Sequence, residues 1–227
     1  MNVRSISLAA PAAALSVGSL NAELIEPASA QALLVLAHGA GAGFDHANLV
    51  GISRALAEVG IASLRFNFPF MQSGKRRVDQ RAVATATVAQ AVTAAAGLGT
   101  GLPLFVGGHS VGGRMASHAV IDHELPVRGL IFCAFPLHPP KKPGTERAAH
   151  LAQIAQPMLF LSGTRDGLAQ SELLDQVVVG IGERAHLHWL ATADHSYKIL
   201  KRQRAPQPTV FEEMAQAIRH FVEQTSP

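Results

Sequence analysis

Residues 107–114 read Gly107-Gly108-His109-Ser110-Val111-Gly112-Gly113-Arg114. The apolar run Pro103-Leu104-Phe105-Val106 before them has the pattern of a buried strand, and Met115-Ala116-Ser117-His118-Ala119-Val120-Ile121 after them opens a helix. A Gly-x-Ser-x-Gly pentapeptide between a strand and a helix puts a serine at the tip of a sharp, strained turn. Gly108 and Gly112 lie two residues to either side of Ser110, where a Cβ would strike the neighbouring strand or helix. The turn lifts the hydroxyl clear of the sheet and leaves the Val111 N–H free to face an oxyanion. Glycine is common here, at 20 of 227 residues, so the pentapeptide alone is a weak signal. Its weight comes from the strand before it and the helix after it.

Working outward, apolar runs alternate with helical spacing. Ala32-Leu33-Leu34-Val35-Leu36-Ala37 predicts a central strand ending in His38-Gly39-Ala40-Gly41-Ala42-Gly43. A helix follows from about Asp45 to Val59, stopped by Gly60, and then a strand over Ile61–Asn67. Pro69 to Val78 reads as a polar loop and Val83 to Ala96 as an alanine-rich helix. Beyond the serine turn the pattern predicts strands at 127–135, 158–163 and 186–190. It predicts helices at 146–153, 171–179 and 208–223. Upstream, Arg4, an apolar stretch and Ala28-Ser29-Ala30 imitate a secretory leader, but Pro11, Ser16, Gly18, Ser19 and Asn21 interrupt it. Alternation at Leu15, Val17, Leu20, Ala22 and Leu24 predicts two strands instead, with the hairpin turn at Val17-Gly18-Ser19-Leu20. Alternating strands and helices imply an α/β domain over residues 1–227. Its mostly parallel sheet would have about 7–8 strands with helices on both faces, and no insertion is long enough for a lid domain.

Composition agrees. Hydrophobic residues make up 48% and charged residues 15%, which suits a sheet buried on both faces. The net charge is only +3, and the basic clusters Lys75-Arg76-Arg77, Lys141-Lys142 and Lys201-Arg202 lack interleaved aromatics. They read as solvated faces, so no nucleic-acid partner is expected. No run is long enough to span a membrane. The single cysteine, Cys133, sits in a core strand pattern, fits a reducing compartment and points to the cytoplasm.

Ligands in open α/β sheets bind beyond the carboxyl ends of the strands. Four predicted strands end there in His38-Gly39-Ala40-Gly41, Ser110, Asp166 and His195. A serine hydroxyl needs a base, and the base needs a partner to fix its tautomer. Ser110 is the expected nucleophile, His195 the base and then acid, and Asp166 the orienting carboxylate. Asp194, adjacent to His195, is the rival acid. Val111 and Ala40 N–H are the expected oxyanion donors, with Gly41 the alternative to Ala40. His38, Gly39, Gly41 and His109 are expected to line the substrate site. The glycine-rich loop lacks the ending of a P-loop and the spacing of a dinucleotide motif. His186 and His188 share a strand face, a weak metal pair without a third ligand. His118, His123 and His220 read as surface residues. No metal or cofactor is expected.

Six stretches extend the pattern over most of the chain: Leu36–Gly43, Arg65–Phe70, the serine turn, Phe135-Pro136-Leu137-His138-Pro139-Pro140, Gly163–Asp166 and Asp194–Ser196. On these the chain resembles α/β-hydrolases of dienelactone-hydrolase type. It is most similar to a small α/β-hydrolase-like group that includes a testis-expressed mammalian protein. The resemblance implies a hydrolase fold with Ser110, Asp166 and His195 in the triad positions. Where the family's elbow more often has Lys and Met, this chain has His109 and Val111, and Lys141 replaces a glycine. A dienelactone hydrolase proper uses cysteine where this chain has Ser110. His138 and Arg65, inside the matching stretches, are added as candidate site-lining residues. The expectation is a serine esterase, or thioesterase, acting on a small or medium acyl substrate. The alternative is a non-catalytic interaction module on the same scaffold.

Overall fold

A computed structural model describes residues 1–225. The elements in chain order are β1 (Asn2–Ala9), β2 (Ser19–Glu26), β3 (Ala32–Ala37), α1 (Ala47–Glu58), β4 (Ile61–Phe66), α2 (Pro69–Gln72) and α3 (Arg81–Ala96). They continue with β5 (Leu104–His109), α4 (Val111–His123), β6 (Gly129–Cys133), β7 (Met158–Gly163), α5 (Ser171–Ile181), β8 (Ala185–Leu190) and α6 (Val210–Thr225). The strands form one eight-stranded sheet in the order β1-β2-β4-β3-β5-β6-β7-β8. β1 and β2 run antiparallel to each other, and β2 antiparallel to β4; the other pairings are parallel. This is the α/β-hydrolase fold.

The central strands β3, β4 and β6 are buried at every residue, which is why they read as apolar runs, interrupted only by Ser63 and Arg65 in β4. One face packs on α3 and α4 through residues such as Val88, Ala91, Ala116 and Ala119. The other packs on α1 and α6 through Leu49, Ile52, Met214 and Ile218. The chain leaves β3 toward α1 on one face and leaves β5 toward α4 on the other. The carboxyl ends of these neighbours therefore border a crevice where the topology switches sides.

Three expectations are corrected. The first N-terminal strand is Asn2–Ala9, paired from Asn2↔Glu26 to Ala9↔Ser19, and residues 12–17 form a 3-10 turn. The connection is thus longer than a Val17–Leu20 hairpin; Gly18 ends it at φ 73°. The loop after β4 is not wholly polar: Pro69–Gln72 make a helical turn and Phe70 is buried. His118 is not a surface residue. It is buried on α4 with its ring stacked on His150, centroids 3.7 Å apart.

Burial depresses the pKa of four histidines, His38, His109, His118 and His150, from 6.5 to about 4. The unfolded chain binds more protons than the folded one between those values. The stability these neutral rings contribute is complete above about pH 6.5 and is lost as the pH falls toward 4. Thermal melts should give a level Tm above that pH and a declining one below it. His118→Phe keeps an aromatic face against His150 and removes one titration, so its Tm should decline less steeply. An unchanged slope in that variant would contradict the assignment.

Candidate active site

Strand β5 has no room for side chains at Gly107 and Gly108, on the approach to Ser110. A Cβ on Gly107 would lie 1.8 Å from the Ile131 carbonyl oxygen of β6, and one on Gly108 2.4 Å from that of Ala37 in β3. A Cβ on Gly112 would lie 2.5 Å from the Ala37 and His38 oxygens. These approaches let α4 start directly behind the sheet. Ser110, at the crest, takes φ 54° and ψ −119°. This is costly backbone for a residue with a Cβ, and such strain gathers at functional sites. Ala134, just beyond β6, and Thr192 and Tyr197, in the loop after β8, also have positive φ.

Ser110 Oγ lies 2.9 Å from His195 Nε2, and His195 Nδ1 lies 2.8 Å from Asp166 Oδ2. The Asp166 side chain is fully buried, and its Oδ1 accepts the Leu168 N–H at 2.8 Å. A buried carboxylate on Nδ1 fixes the tautomer that leaves Nε2 free to accept a proton from the serine. The rival Asp194 points elsewhere. Its Oδ1 accepts the N–H groups of Ser196 and Lys198 and so shapes the loop that carries His195.

A cavity of about 320 Å³ opens over Ser110, lined by Gly39, Ala40, Gly41, His109 and His195. Val111 is the first residue of α4, so its N–H has no carbonyl one turn back to donate to. Gly39 is held against the serine; a Cβ there would meet Ser110 Cβ at 3.6 Å and His109 Nδ1 at 3.0 Å. Ala40 and Gly41 are exposed at the rim. A larger cavity, about 510 Å³, lies at the opposite end of the sheet beside Leu104 and Arg128, away from Ser110.

Several histidines are placed differently from expectation. His38 does not face the cavity. It is fully buried; Nδ1–H donates to the Gly39 carbonyl at 2.7 Å and Nε2 accepts the Phe68 N–H at 3.0 Å. Its neutral ring thus ties the glycine loop to the chain leaving β4. His138 is also buried. Its ring pairs with the Pro139 carbonyl at 2.9 Å, and its backbone N–H donates to Leu168 beside Asp166. Arg65 is buried as well, donating to the Phe44 carbonyl at 2.6 Å and pairing with Glu23. All three support the site's loops instead of lining its cavity. His109 does line it, and Nε2–H donates to the His195 carbonyl at 3.0 Å. Burial pushes the His109 pKa down to about 4, so it stays a neutral positioning group. Tyr197, packed on His109 with centroids 5.4 Å apart, had no sequence signal beyond its place after His195. His188 Nε2 pairs with Glu213 at 2.8 Å and His186 packs on Phe221. Among the described residues no group of three or more His, Cys, Asp or Glu is placed to hold a metal.

Residues 30–223 match the model of a family described as Alpha/beta hydrolase domain. The chain belongs to this alpha/beta hydrolase family. Its fold is shared by a dienelactone hydrolase from Anabaena variabilis, at TM-score 0.76 and 14% identity over 99% of this chain and 98% of that one. It is also shared by an α/β serine hydrolase without lid from Xanthomonas campestris, at TM-score 0.74 and 16% identity over 99% and 95%. A third structure, Est1E from Butyrivibrio proteoclasticus with ferulic acid bound, superposes at TM-score 0.70 and 15% identity over 91% and 95%. At these identities the likeness is one of fold. No helix among the described residues is long and apolar enough to cross a membrane.

The strain at Ser110 is testable. Ser110→Gly removes the Cβ from a positive-φ position, so the variant should be more stable by about 1 kcal/mol. For a domain of this size that is about 2–4 °C in Tm. A Tm equal to or below that of Ser110→Ala would contradict the strain.

Proposed function

We propose that this alpha/beta hydrolase is a serine hydrolase that cleaves a small or medium acyl ester or thioester through an acyl-enzyme. The observation that supports this most directly is the unbroken hydrogen-bond chain from Ser110 Oγ through His195 to buried Asp166. In this reading His195 Nε2 takes the Ser110 proton as Oγ attacks the acyl carbonyl. The tetrahedral oxyanion is met by the N–H groups of Val111 and Ala40, with the positive end of α4 behind Val111. The imidazolium, stabilised by Asp166, then gives its proton to the departing alcohol or thiol. Water, activated by the same nitrogen, releases the acid and restores Ser110.

The site is preorganised by neutral hydrogen bonds. His38 fixes the loop that carries Ala40, and His109 fixes the backbone of His195. The lid-less Xanthomonas relative and the Butyrivibrio enzyme with ferulic acid bound add weight to an esterase that works on dissolved substrates. Within the family we place the chain in the group that includes a testis-expressed protein, on the Arg65–Phe70 and Phe135–Pro140 motifs. A cytoplasmic location fits the lone buried thiol of Cys133.

Labelling with a fluorophosphonate should mark the wild type and neither Ser110→Ala nor His195→Ala. Turnover of short aryl esters should fall by several orders of magnitude in both. Asp166→Asn should lower kcat about 10⁴-fold. Asp194→Asn, whose Oδ1 can still accept the Ser196 and Lys198 N–H groups, should cost less than about tenfold. Folded wild type that takes no label would support an interaction module instead.

A further inference from the structure

A second cavity near the serine, about 280 Å³, is lined by Val111, the residue after Ser110, and not by His195. Phe68, Phe70, Val111 and Met115 give it a largely apolar lining, to which Arg114 and Arg147 add two guanidinium side chains. Arg114 is one turn below the serine: its N–H donates to the Ser110 carbonyl, about 6 Å along the helix. Neither guanidinium forms an ion pair among the described residues, and Arg114 Nε is buried without a hydrogen-bond partner. Two half-buried, unpaired guanidiniums lining one largely hydrocarbon cavity are costly unless something anionic joins them.

The surrounding charges narrow what that is. Arg81 also borders the cavity, but it is held by Asp122 at 2.5 Å. Asp79 borders it too, with Oδ2 accepting the Phe70 N–H at 3.0 Å. Three guanidiniums against two carboxylates leave one positive charge unmatched, which suits a monoanion. The stacked His118 and His150 pack nearby and stay neutral. The proximity of Arg147 and Arg81 adds to burial in pushing the Arg114 pKa down. The two flanking loops are basic as well, with Lys75, Arg76 and Arg77 before Asp79 and Lys141 and Lys142 before Glu146. Such a rim steers anions toward the opening.

The direction of the chemistry says which half of the substrate is involved. The leaving group must depart beside His195, which protonates it, and so occupies the cavity lined by His195 and Ser196. The acyl chain then extends past Val111. Resting on the serine-hydrolase reading above, we propose that this second cavity takes the acyl chain and that Arg114 and Arg147 hold a carboxylate at its end. The preferred substrates are then half-esters or half-thioesters of short dicarboxylic acids.

The test compares 4-nitrophenyl hemiadipate with 4-nitrophenyl hexanoate on the full chain, subtracting spontaneous hydrolysis. Wild type should favour the hemiadipate at least about tenfold in kcat/KM. Arg147→Gln and Arg114→Gln should each lower that preference by about tenfold to 100-fold, mainly through KM. A wild-type preference for hexanoate, or a preference that survives both substitutions, overturns the proposal. Calorimetric titration with adipate is independent of turnover. Wild type should bind it and Arg147→Gln, altered at a partly exposed position, should bind it about tenfold more weakly. Absence of adipate binding, or tighter binding of inorganic phosphate, overturns the carboxylate site. Arginine-dependent adipate binding without cleavage of either ester would sink the hydrolase reading and leave the subsite standing. Ser110-dependent cleavage of hexanoate without adipate binding would do the reverse.

Discussion

The site depends on how closely α4 can approach the sheet. Gly107 and Gly108 in β5 and Gly112 in α4 lie where any Cβ would meet backbone oxygens of Ile131, Ala37 or His38. No rotamer change relieves a clash with backbone, so only glycine permits the approach. The approach forces the turn, and the turn forces Ser110 to positive φ at the crest of the central strand. The register of β3 against β5, with Ala37 opposite Gly108, then places the glycine loop beside the hydroxyl.

Around that crest the structure separates groups that carry charge from groups that hold position. Asp166 is the buried carboxylate, and its two oxygens are both used, one by His195 and one by Leu168 N–H. His38 and His109 are buried deeply enough to stay neutral. A neutral imidazole can donate at one nitrogen and accept at the other, which lets His38 bridge two loops without bringing a charge inside. Three histidines near one serine thus have three different tasks, set by burial and by which nitrogen each neighbour engages. Cationic side chains line the neighbouring cavity that Val111 borders, where Arg114 and Arg147 join Phe68, Phe70 and Met115.

Much of the fold was legible because its central strands are short, buried and bounded by glycine or polar loops. The runs 32–37, 61–66 and 158–163 have no polar face to confuse the pattern apart from Ser63, Arg65 and Ser162. The misread places were those where a local pattern had two solutions. Leu15 and Val17 alternate with polar or small neighbours as a strand would, yet they sit in or beside a 3-10 turn because Asn2–Ala9 is the segment that pairs with β2. Phe70 looked like loop because Pro69 precedes it and a polar stretch from Gln72 to Arg77 follows, but Asp79 holds its N–H and the turn folds inward.

The sequence by itself determined the strand-turn-helix at Ser110 and the order serine, acid, histidine at three strand ends, because these rest on local sterics and on periodicity. It also determined that a glycine-rich loop would follow a central strand. Only the tertiary structure decided which way each side chain faces. It put Asp166 and not Asp194 on His195, turned His38 and His138 inward, buried His118 against His150, and gathered Arg114 and Arg147 from separate elements into one cavity. Those outcomes depend on contacts between residues tens of positions apart. Pairing and packing of the whole sheet fix them, and no local pattern encodes them.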